Sequence, residues 1–270
     1  TWGVVIEARD TATGEMAALK VLQPTETARA QMRSRKITPF EALRNEGDLS
    51  PCANIVPRTF EIDSRGTPFI RMPVYYDFLD RAIKRGDAKE RAIPYLEDIA
   101  NGLYEIHSVR GRVHGDLKPD NIALGNGKAL ISDLGTSTCA SFGWTVSPRD
   151  NMGCAYTRAP ECFRENSHPT SQSDVWAFGA LASKLLTGEY PFEADLDKGD
   201  RSFVQSKERF NSQLESHLAK LPREHKKLRK LLRGCLAYDQ HQRPYNGEEL
   251  KARLGEALAK NSFGIKYPFF

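Results

Sequence analysis

The most informative stretch of the sequence is His114–Asn121, which is followed twelve residues after Asn121 by Asp133. An acid, a lysine two residues on, an asparagine five residues on and a second acid beyond a short apolar segment are the groups that phosphoryl transfer needs. Asp116 can accept the proton of an attacking hydroxyl, and Lys118 can balance negative charge on the moving phosphoryl group. Asn121 and Asp133 offer the hard oxygen ligands that Mg²⁺ prefers.

This stretch resembles the catalytic loop and the metal-binding loop of the eukaryotic-type protein kinase family, serine/threonine branch, with His-Gly-Asp in place of His-Arg-Asp. Further motifs of that family follow in order: Ala159-Pro160-Glu161, Ser173-Asp174-Val175-Trp176 and Arg243 before Pro244. The resemblance gives Asp174 a bond to the backbone of the catalytic loop and gives Arg243 an ion pair with Glu161. It covers the chain from Gly3 to about Leu254.

The resemblance implies an α+β fold of two lobes, and 270 residues with 40% apolar content are enough for a sizeable core. Residues 1–72 would form a small antiparallel-sheet lobe, whose first strand would be missing from this chain because the chain opens at Thr1 inside a motif. Residues 73–76 would form the hinge. Residues 77–262 would form a larger, mostly helical lobe with an activation segment at 133–161, followed by a tail at 263–270.

Local patterns agree with this division. Strands are predicted at Trp2–Arg9 and Met16–Leu22, and a hairpin joins Phe60–Asp63 to Pro68–Met72. Apolar residues at helical spacing predict a helix from Ile93 to His107, in which His107 is assigned to packing. Pro24–Arg35 is polar and is expected to be a mobile loop or a frayed helix start, while the helix from Ser173 is apolar nearly all round and is therefore expected to be buried.

The resemblance also implies ATP and Mg²⁺ as cofactors. Lys20 lies seventeen residues after Gly3, as the nucleotide lysine of the family does after the last glycine of the phosphate-covering loop. The residues implied to contact the nucleotide are Gly3, Val5, Ala18, Lys20, Glu46, Met72, Val74 and Ala123. Ala123 replaces a larger aliphatic residue, so a shallow floor of the adenine pocket is expected.

The partner of Lys20 is open between two residues. Glu46 on the helix after Thr38 is our first choice for the glutamate that pairs with the nucleotide lysine. Only eight residues separate Glu46 from Asn54, which is shorter than usual in the family, so Glu41 remains an alternative.

Composition narrows the partners and the location. Lys and Arg total 39 against 35 Asp and Glu, so no strong basic field indicates nucleic acid or a membrane as a partner. The chain contains no run of about 18 apolar residues that would span a bilayer. Five cysteines are scattered without metal or framework spacing, which indicates reduced thiols and a cytoplasmic location.

Three functions compete. The leading hypothesis is an ATP-dependent kinase that phosphorylates Ser or Thr hydroxyls of a protein substrate. A pseudokinase acting as a scaffold is the main alternative, and a small-molecule phosphotransferase of the aminoglycoside type is the third. Glu161, Asp174 and Arg243 argue against the third, because that group lacks this set. Residues 193–221 exceed the compact family form and are a candidate docking segment, although a solvated loop plus one helix is the simpler expectation.

Two departures from the family pattern bear on regulation and on the substrate site. Cys154 replaces a Thr whose hydroxyl contacts the catalytic acid and lysine, and a thiol is a poorer hydrogen-bond partner. Gly115 stands where many kinases that are regulated by loop phosphorylation carry Arg, so no guanidinium lies beside Asp116 for a phosphate to neutralise.

We therefore predict that activity does not depend on a phosphate in the activation segment. Phosphatase treatment of active protein should leave the rate of phosphoryl transfer unchanged, because no cation beside Asp116 awaits neutralisation. A rate that falls strictly with phosphate removal would contradict this.

Overall fold

The computed structural model describes residues 3–22, 38–47, 52–134, 138–139, 155–163, 167–199, 202 and 206–259. The expectations for Pro24–Arg35, for Cys154 and most of the activation segment, and for the tail at 263–270 fall outside these residues.

A four-stranded antiparallel sheet contains strands β1 (Gly3–Arg9), β2 (Met16–Leu22), β3 (Thr59–Ile62) and β4 (Pro68–Pro73), in the order β1-β2-β4-β3. The predicted strands and the hairpin are confirmed. Asp10 fixes the β1–β2 turn, because its side chain accepts hydrogen bonds from the backbone N–H groups of Ala12 and Thr13.

Helix α1 (Pro39–Gly47) lies against β3 and β4, with the ring of Phe40 edge-on to Phe60 at 5.1 Å. Its start is fixed by a reciprocal pair of bonds. The backbone N–H of Thr38 donates to the Glu41 carboxylate at 2.8 Å, and the N–H of Glu41 donates to Thr38 Oγ1 at 3.2 Å. This is a capping box.

The second part of the chain is mostly helical, which confirms the α+β class. Its helices are α2 (Leu79–Arg85), α3 (Ala92–Tyr104), α4 (Ser171–Thr187), α5 (Glu193–Asp197), α6 (Lys207–Leu218), α7 (Lys226–Cys235) and α8 (Gly247–Leu258). Strands β5 (Asp77–Phe78), β7 (Ile122–Gly125) and β8 (Lys128–Ile131) form a small sheet, and β6 (Arg112–Val113) pairs with β9 (Thr138–Cys139).

Helix α4 is the centre of the helical part. Val175, Trp176, Phe178 and Leu181 on it are all buried, as its sequence predicts. A capping box between Thr170 and Ser173 starts the helix.

Residues 193–221 contain two helices, α5 and α6, and the expectation of a loop plus one helix was wrong for this segment. Leu196 of α5 and Phe210, Leu214 and Leu218 of α6 are buried in the core. The apolar spacing within α6 is what holds it on the domain.

No helix within the described ranges is both long and apolar enough to cross a membrane. Cys52, Cys162 and Cys235 are free thiols. Burial raises the pKa of Cys162 to about 11 and that of Cys235 to about 12, so both thiols are protonated at neutral pH.

The predicted helix from Ile93 to His107 ends earlier than expected. The α-helix stops at Tyr104, and Glu105–Val109 continues as one wider π-type turn.

The buried ring of His107, in this turn, bridges two other elements. His107 Nδ1 accepts the backbone N–H of Gly247 at 2.9 Å, and Nε2 lies 2.9 Å from Asp174 Oδ2. Because Nδ1 is an acceptor, the proton must sit on Nε2 and be donated to Asp174. The assignment of His107 to packing was therefore incomplete, because its ring also makes two buried hydrogen bonds.

We predict that His107→Ala lowers the free energy of unfolding by about 2–4 kcal/mol, because it leaves a buried carboxylate and a buried N–H each without one partner. Urea denaturation followed by circular dichroism measures this. His168→Ala is the matched control, since His168 is exposed and its loss should change stability by less than about 0.5 kcal/mol. Equal stabilities of the two variants would show that the His107 bridge contributes nothing.

Candidate active site

Lys20, on β2, lies between two carboxylates from distant parts of the chain. Its Nζ is 2.7 and 2.9 Å from the two oxygens of Glu46 and 2.7 Å from Asp133 Oδ1. Burial alone would lower the pKa of Lys20, but Glu46 and Asp133 outweigh it and raise the pKa above its ordinary value. The ammonium is therefore charged at neutral pH.

The structure pairs Glu46, and not Glu41, with Lys20. Glu46 lies near the end of α1, is buried and points to β2. Glu41 is exposed at the start of the same helix, where Thr38 holds its carboxylate. The short distance in sequence between Glu46 and Asn54 does not prevent the ion pair.

Asp133 is delivered by β8, which is anchored on the segment before β3. The backbone N–H of Ile131 donates to Asn54 O, and the N–H of Val56 donates to Ile131 O, both at 2.9 Å. The chain then turns sharply, since Asp133 has a left-handed φ of 50°. Its side chain is 40% exposed, so one side of this carboxylate faces open space. Leu134, the next residue, is buried.

Ser132 holds Asn121 next to Asp133. Both the N–H and the hydroxyl of Ser132 donate to the backbone oxygen of Asn121, at 2.8 and 3.0 Å. The Asn121 amide nitrogen donates to Asp116 O at 2.8 Å and to Asp116 Oδ2 at 3.2 Å. Its amide oxygen is consequently the atom left to serve as a ligand.

Asp116 and Lys118 form the other half of the site. Lys118 Nζ donates to Asp116 Oδ2 at 2.8 Å, and both side chains are partly exposed. The backbone N–H of Asp116 donates to His114 Nδ1 at 3.2 Å, while the Nε2 of this buried ring lies 3.0 Å from Ser132 O. His114 thereby joins the segment before Asp133 to the segment before Asp116.

The buried carboxylate of Asp174, on α4, holds the backbone of the catalytic loop. It accepts the N–H of His114 at 2.7 Å and the N–H of Gly115 at 2.8 Å. Gly115 has a φ of 79°, a left-handed conformation that glycine adopts at no steric cost. His107 donates to the same carboxylate, and this third bond is the functional contact that sequence reasoning missed.

Five of the residues predicted to contact the nucleotide lie on one face of the sheet. Val5 is paired with Lys20, and Ala18 with Met72, in antiparallel register. Because side chains alternate along a strand, the set Gly3, Val5, Ala18, Lys20 and Met72 shares that face. Val5 is 57% exposed there, so the surface above it is open. A Cβ on Gly3 would lie 2.3 Å from Val21 O, which explains a glycine at that position.

Of the other three predicted contacts, Glu46 is the partner of Lys20 on α1, and Val74 and Ala123 lie beyond the four-stranded sheet. Val74 is half-buried in the segment after β4. Ala123 on β7 is fully buried, because Met72, Tyr75 and Phe78 pack against the cluster that it forms with Val56 and Leu130. The structure therefore brings Ala123 and Met72 together, while a contact of Ala123 with a base stays a prediction.

Glu161 and Arg243 form a two-pronged ion pair, with Nη1 and Nη2 of Arg243 donating to the two carboxylate oxygens at 2.7 and 2.8 Å. The Arg243 side chain has no exposed surface and also lies over the ring of Trp176, 5.0 Å from its centroid. This pair ties the turn Pro160–Phe163 to the segment before α8.

The donor set fits the implied cofactors. The amide oxygen of Asn121 and the half-open carboxylate of Asp133 are hard oxygens that could hold Mg²⁺. Lys20, charged and adjacent to Asp133, could bind a phosphate oxygen. Among the described residues no cluster of three or more His, Cys, Asp or Glu side chains offers a complete cage for a metal ion. Mg²⁺ is commonly held by one or two protein oxygens, with waters and substrate phosphates as its other ligands.

Comparison with known proteins finds similar serine/threonine-protein kinases. Human serine/threonine-protein kinase 16 is 29% identical over 191 residues, which are 66% of this chain and 60% of that protein. CBL-interacting serine/threonine-protein kinase 8 of Arabidopsis thaliana is 27% identical over 201 residues, 72% of this chain and 43% of that protein. Serine/threonine-protein kinase PknE of Mycobacterium bovis is 29% identical over 197 residues, 72% of this chain and 34% of that protein.

The chain thus spans 60% or less of the length of these three relatives. The family profile described as "Protein kinase domain" matches residues 1–253, a range that contains every residue of the site above. The chain therefore belongs to the protein kinase family.

Proposed function

We propose that the protein is an ATP-dependent serine/threonine protein kinase that transfers the γ-phosphoryl group to hydroxyls of protein substrates. The observation that carries this proposal is the ion pair of Lys20 with both Glu46 and Asp133, which places a charged lysine beside the expected metal ligand. The names of the relatives, all serine/threonine-protein kinases, support the choice of acceptor.

Asp116 is proposed as the base that accepts the proton of the substrate hydroxyl. Lys118, 2.8 Å from it, orients its carboxylate before substrate arrives and then balances charge on the transferred group. Asn121 and Asp133 are proposed to hold Mg²⁺, and Lys20 to bind the phosphates while Glu46 fixes its position. When bound, ATP and its metal ion would supply the phosphoryl group and neutralise its charge. Positioning by these side chains would provide the rest of the rate enhancement.

The nucleotide is proposed to lie on the open face of the sheet, in contact with Gly3, Val5, Ala18, Met72, Val74 and Ala123. The exposure of Val5 on the Lys20 face supports this placement. We also propose the division into a small lobe at 1–72, a hinge at 73–76 and a larger lobe at 77–262.

The features that small-molecule phosphotransferases lack support a protein acceptor. These are the Glu161–Arg243 ion pair and the bonds of Asp174 to the catalytic loop. For residues 193–221, the buried leucines of α5 and α6 limit any docking partner to the exposed faces of these helices. A cytoplasmic location is part of the proposal and is compatible with the free thiols Cys52, Cys162 and Cys235.

Asp116→Asn tests the proposed activity. We expect the rate of transfer from labelled ATP and Mg²⁺ to a generic protein acceptor to fall about 100-fold or more, because the amide cannot accept the hydroxyl proton. Nucleotide affinity, measured separately by fluorescence titration, should change little.

Asp120→Asn is the matched control for this test. Asp120 is an exposed acid in the same loop, so its loss of charge should leave the rate within about twofold, as for an ordinary surface substitution. Equal signals from wild type, Asp116→Asn and Asp120→Asn would instead favour a scaffold without catalysis.

Glu46→Gln and Glu41→Gln separate the two glutamates of α1. Glu46→Gln should lower kcat/KM for ATP about tenfold, because Lys20 loses one of its charged partners. Glu41→Gln keeps that ion pair and should change kcat/KM less than twofold, with at most about 1 kcal/mol lost from helix capping. Steady-state kinetics with varied ATP decides between them, and a larger effect at Glu41 would refute the role of Glu46.

A further inference from the structure

A second cation lies against the carboxylate of Glu46. Arg58 sits just before β3, and its side chain is only 1% exposed. Its Nε donates to the backbone oxygen of Val56 at 3.1 Å, and its Nη1 lies 3.6 Å from Glu46 Oε1. Lys20 reaches the same carboxylate from β2 at 2.7 Å. Glu46 is thus flanked by two positive charges, one on the sheet and one on the segment that follows α1.

The surroundings of Arg58 differ from those of the other deeply buried arginine. Arg243 donates hydrogen bonds to Glu161 and to the backbone oxygens of Gln172, Ala237 and Tyr238. In the described part of the chain, neither Nη1 nor Nη2 of Arg58 has a hydrogen-bond partner. Burial of a guanidinium with unmet donors is costly, and an apolar side chain of similar length would fill this space more cheaply. Packing alone therefore does not explain an arginine at position 58.

The charges around Lys20 suggest what Arg58 does. Lys20 divides its ammonium between Glu46 and Asp133, and the proposed function assigns it a phosphate as well. A lysine that serves three anions holds each of them less firmly. Arg58 approaches Glu46 without taking part in the bond to Asp133, so it can keep the Glu46 carboxylate in place while Lys20 engages the nucleotide.

We propose that Arg58 is a positioning residue that anchors Glu46, and through it α1, independently of Lys20. The inference deepens the proposed function and rests on it for its catalytic consequence. It also has a structural consequence that does not need catalysis: the hold of Arg58 on α1 exists in the protein without nucleotide.

The first test is hydrogen–deuterium exchange of the nucleotide-free protein. Arg58→Met should speed exchange of the α1 amides about tenfold, the size of a coupling between neighbouring charged groups, with exchange in α3 and α4 unchanged. In the Glu46→Gln background the same substitution should have no further effect. Arg44→Met, which removes an exposed cation from α1 itself, is the matched control and should leave exchange unchanged.

The second test is steady-state kinetics. Arg58→Met should raise KM for ATP about tenfold with a smaller change in kcat, and Arg58→Lys, which keeps the charge, should recover most of the loss. Arg58→Lys also serves if the Met variant does not fold. A role in packing only would give equal effects with and without the Glu46 carboxylate, or no recovery by Lys, and either result would overturn the proposal.

The two proposals fail in different ways. If the wild-type protein transfers no phosphate to any acceptor, the proposed function is wrong. The double-mutant cycle of Arg58 and Glu46, measured by hydrogen–deuterium exchange, still decides the role of Arg58. If wild type is active but the exchange cycle shows no coupling, only the role of Arg58 is wrong.

Discussion

The site depends on one buried ammonium group. Lys20 belongs to the four-stranded sheet, Glu46 to the helix beside it and Asp133 to the turn after β8, and the pairs are separated by 26 and 113 residues along the chain. Lys20 and Glu46 are buried charges that would be unfavourable alone, and the half-open carboxylate of Asp133 gives Lys20 a second counter-charge. The need to satisfy these charges therefore ties the sheet, α1 and the helical part into one arrangement.

The loop that carries Asp116 is held in a different way, by the buried carboxylate of Asp174, which accepts hydrogen bonds from neutral donors. Asp174 gathers two backbone N–H groups from the catalytic loop and the imidazole N–H of His107. Since most residues of α4 are buried, Asp174 ties this loop to the core of the helical part. Gly115 fits this scheme because its left-handed backbone turns its N–H toward Asp174 without strain.

The sequence was sufficient wherever the signal was local. Apolar runs bounded by turn residues predicted the strands, and the spacing of acid, lysine and asparagine carried the resemblance to a catalytic loop. The choice between Glu46 and Glu41 stayed open, although Thr38-Pro39-Phe40-Glu41 is a capping-box pattern that assigns Glu41 to the helix start. The contacts of His107 had no local signal, because its partners lie 67 and 140 residues away. Arg58 had no local signal either, because it precedes β3 and its partner Glu46 lies on α1.

The pairing of charges also indicates how the site can accept a highly charged ligand. Asp116 is bonded to Lys118 and Asp133 to Lys20, so the two acids proposed for chemistry each face a lysine before substrate arrives. In the proposed function Asp133 would hold the metal ion and Lys20 a phosphate oxygen, so each group would keep a partner of opposite sign. Each charged group would then have a counter-ion both before and after binding. Most of the free-energy cost of removing these groups from water is therefore incurred when the protein folds, and not when the ligand binds. Glu46 is buried and faces both Lys20 and Arg58, so it can keep its orientation while Lys20 engages another anion.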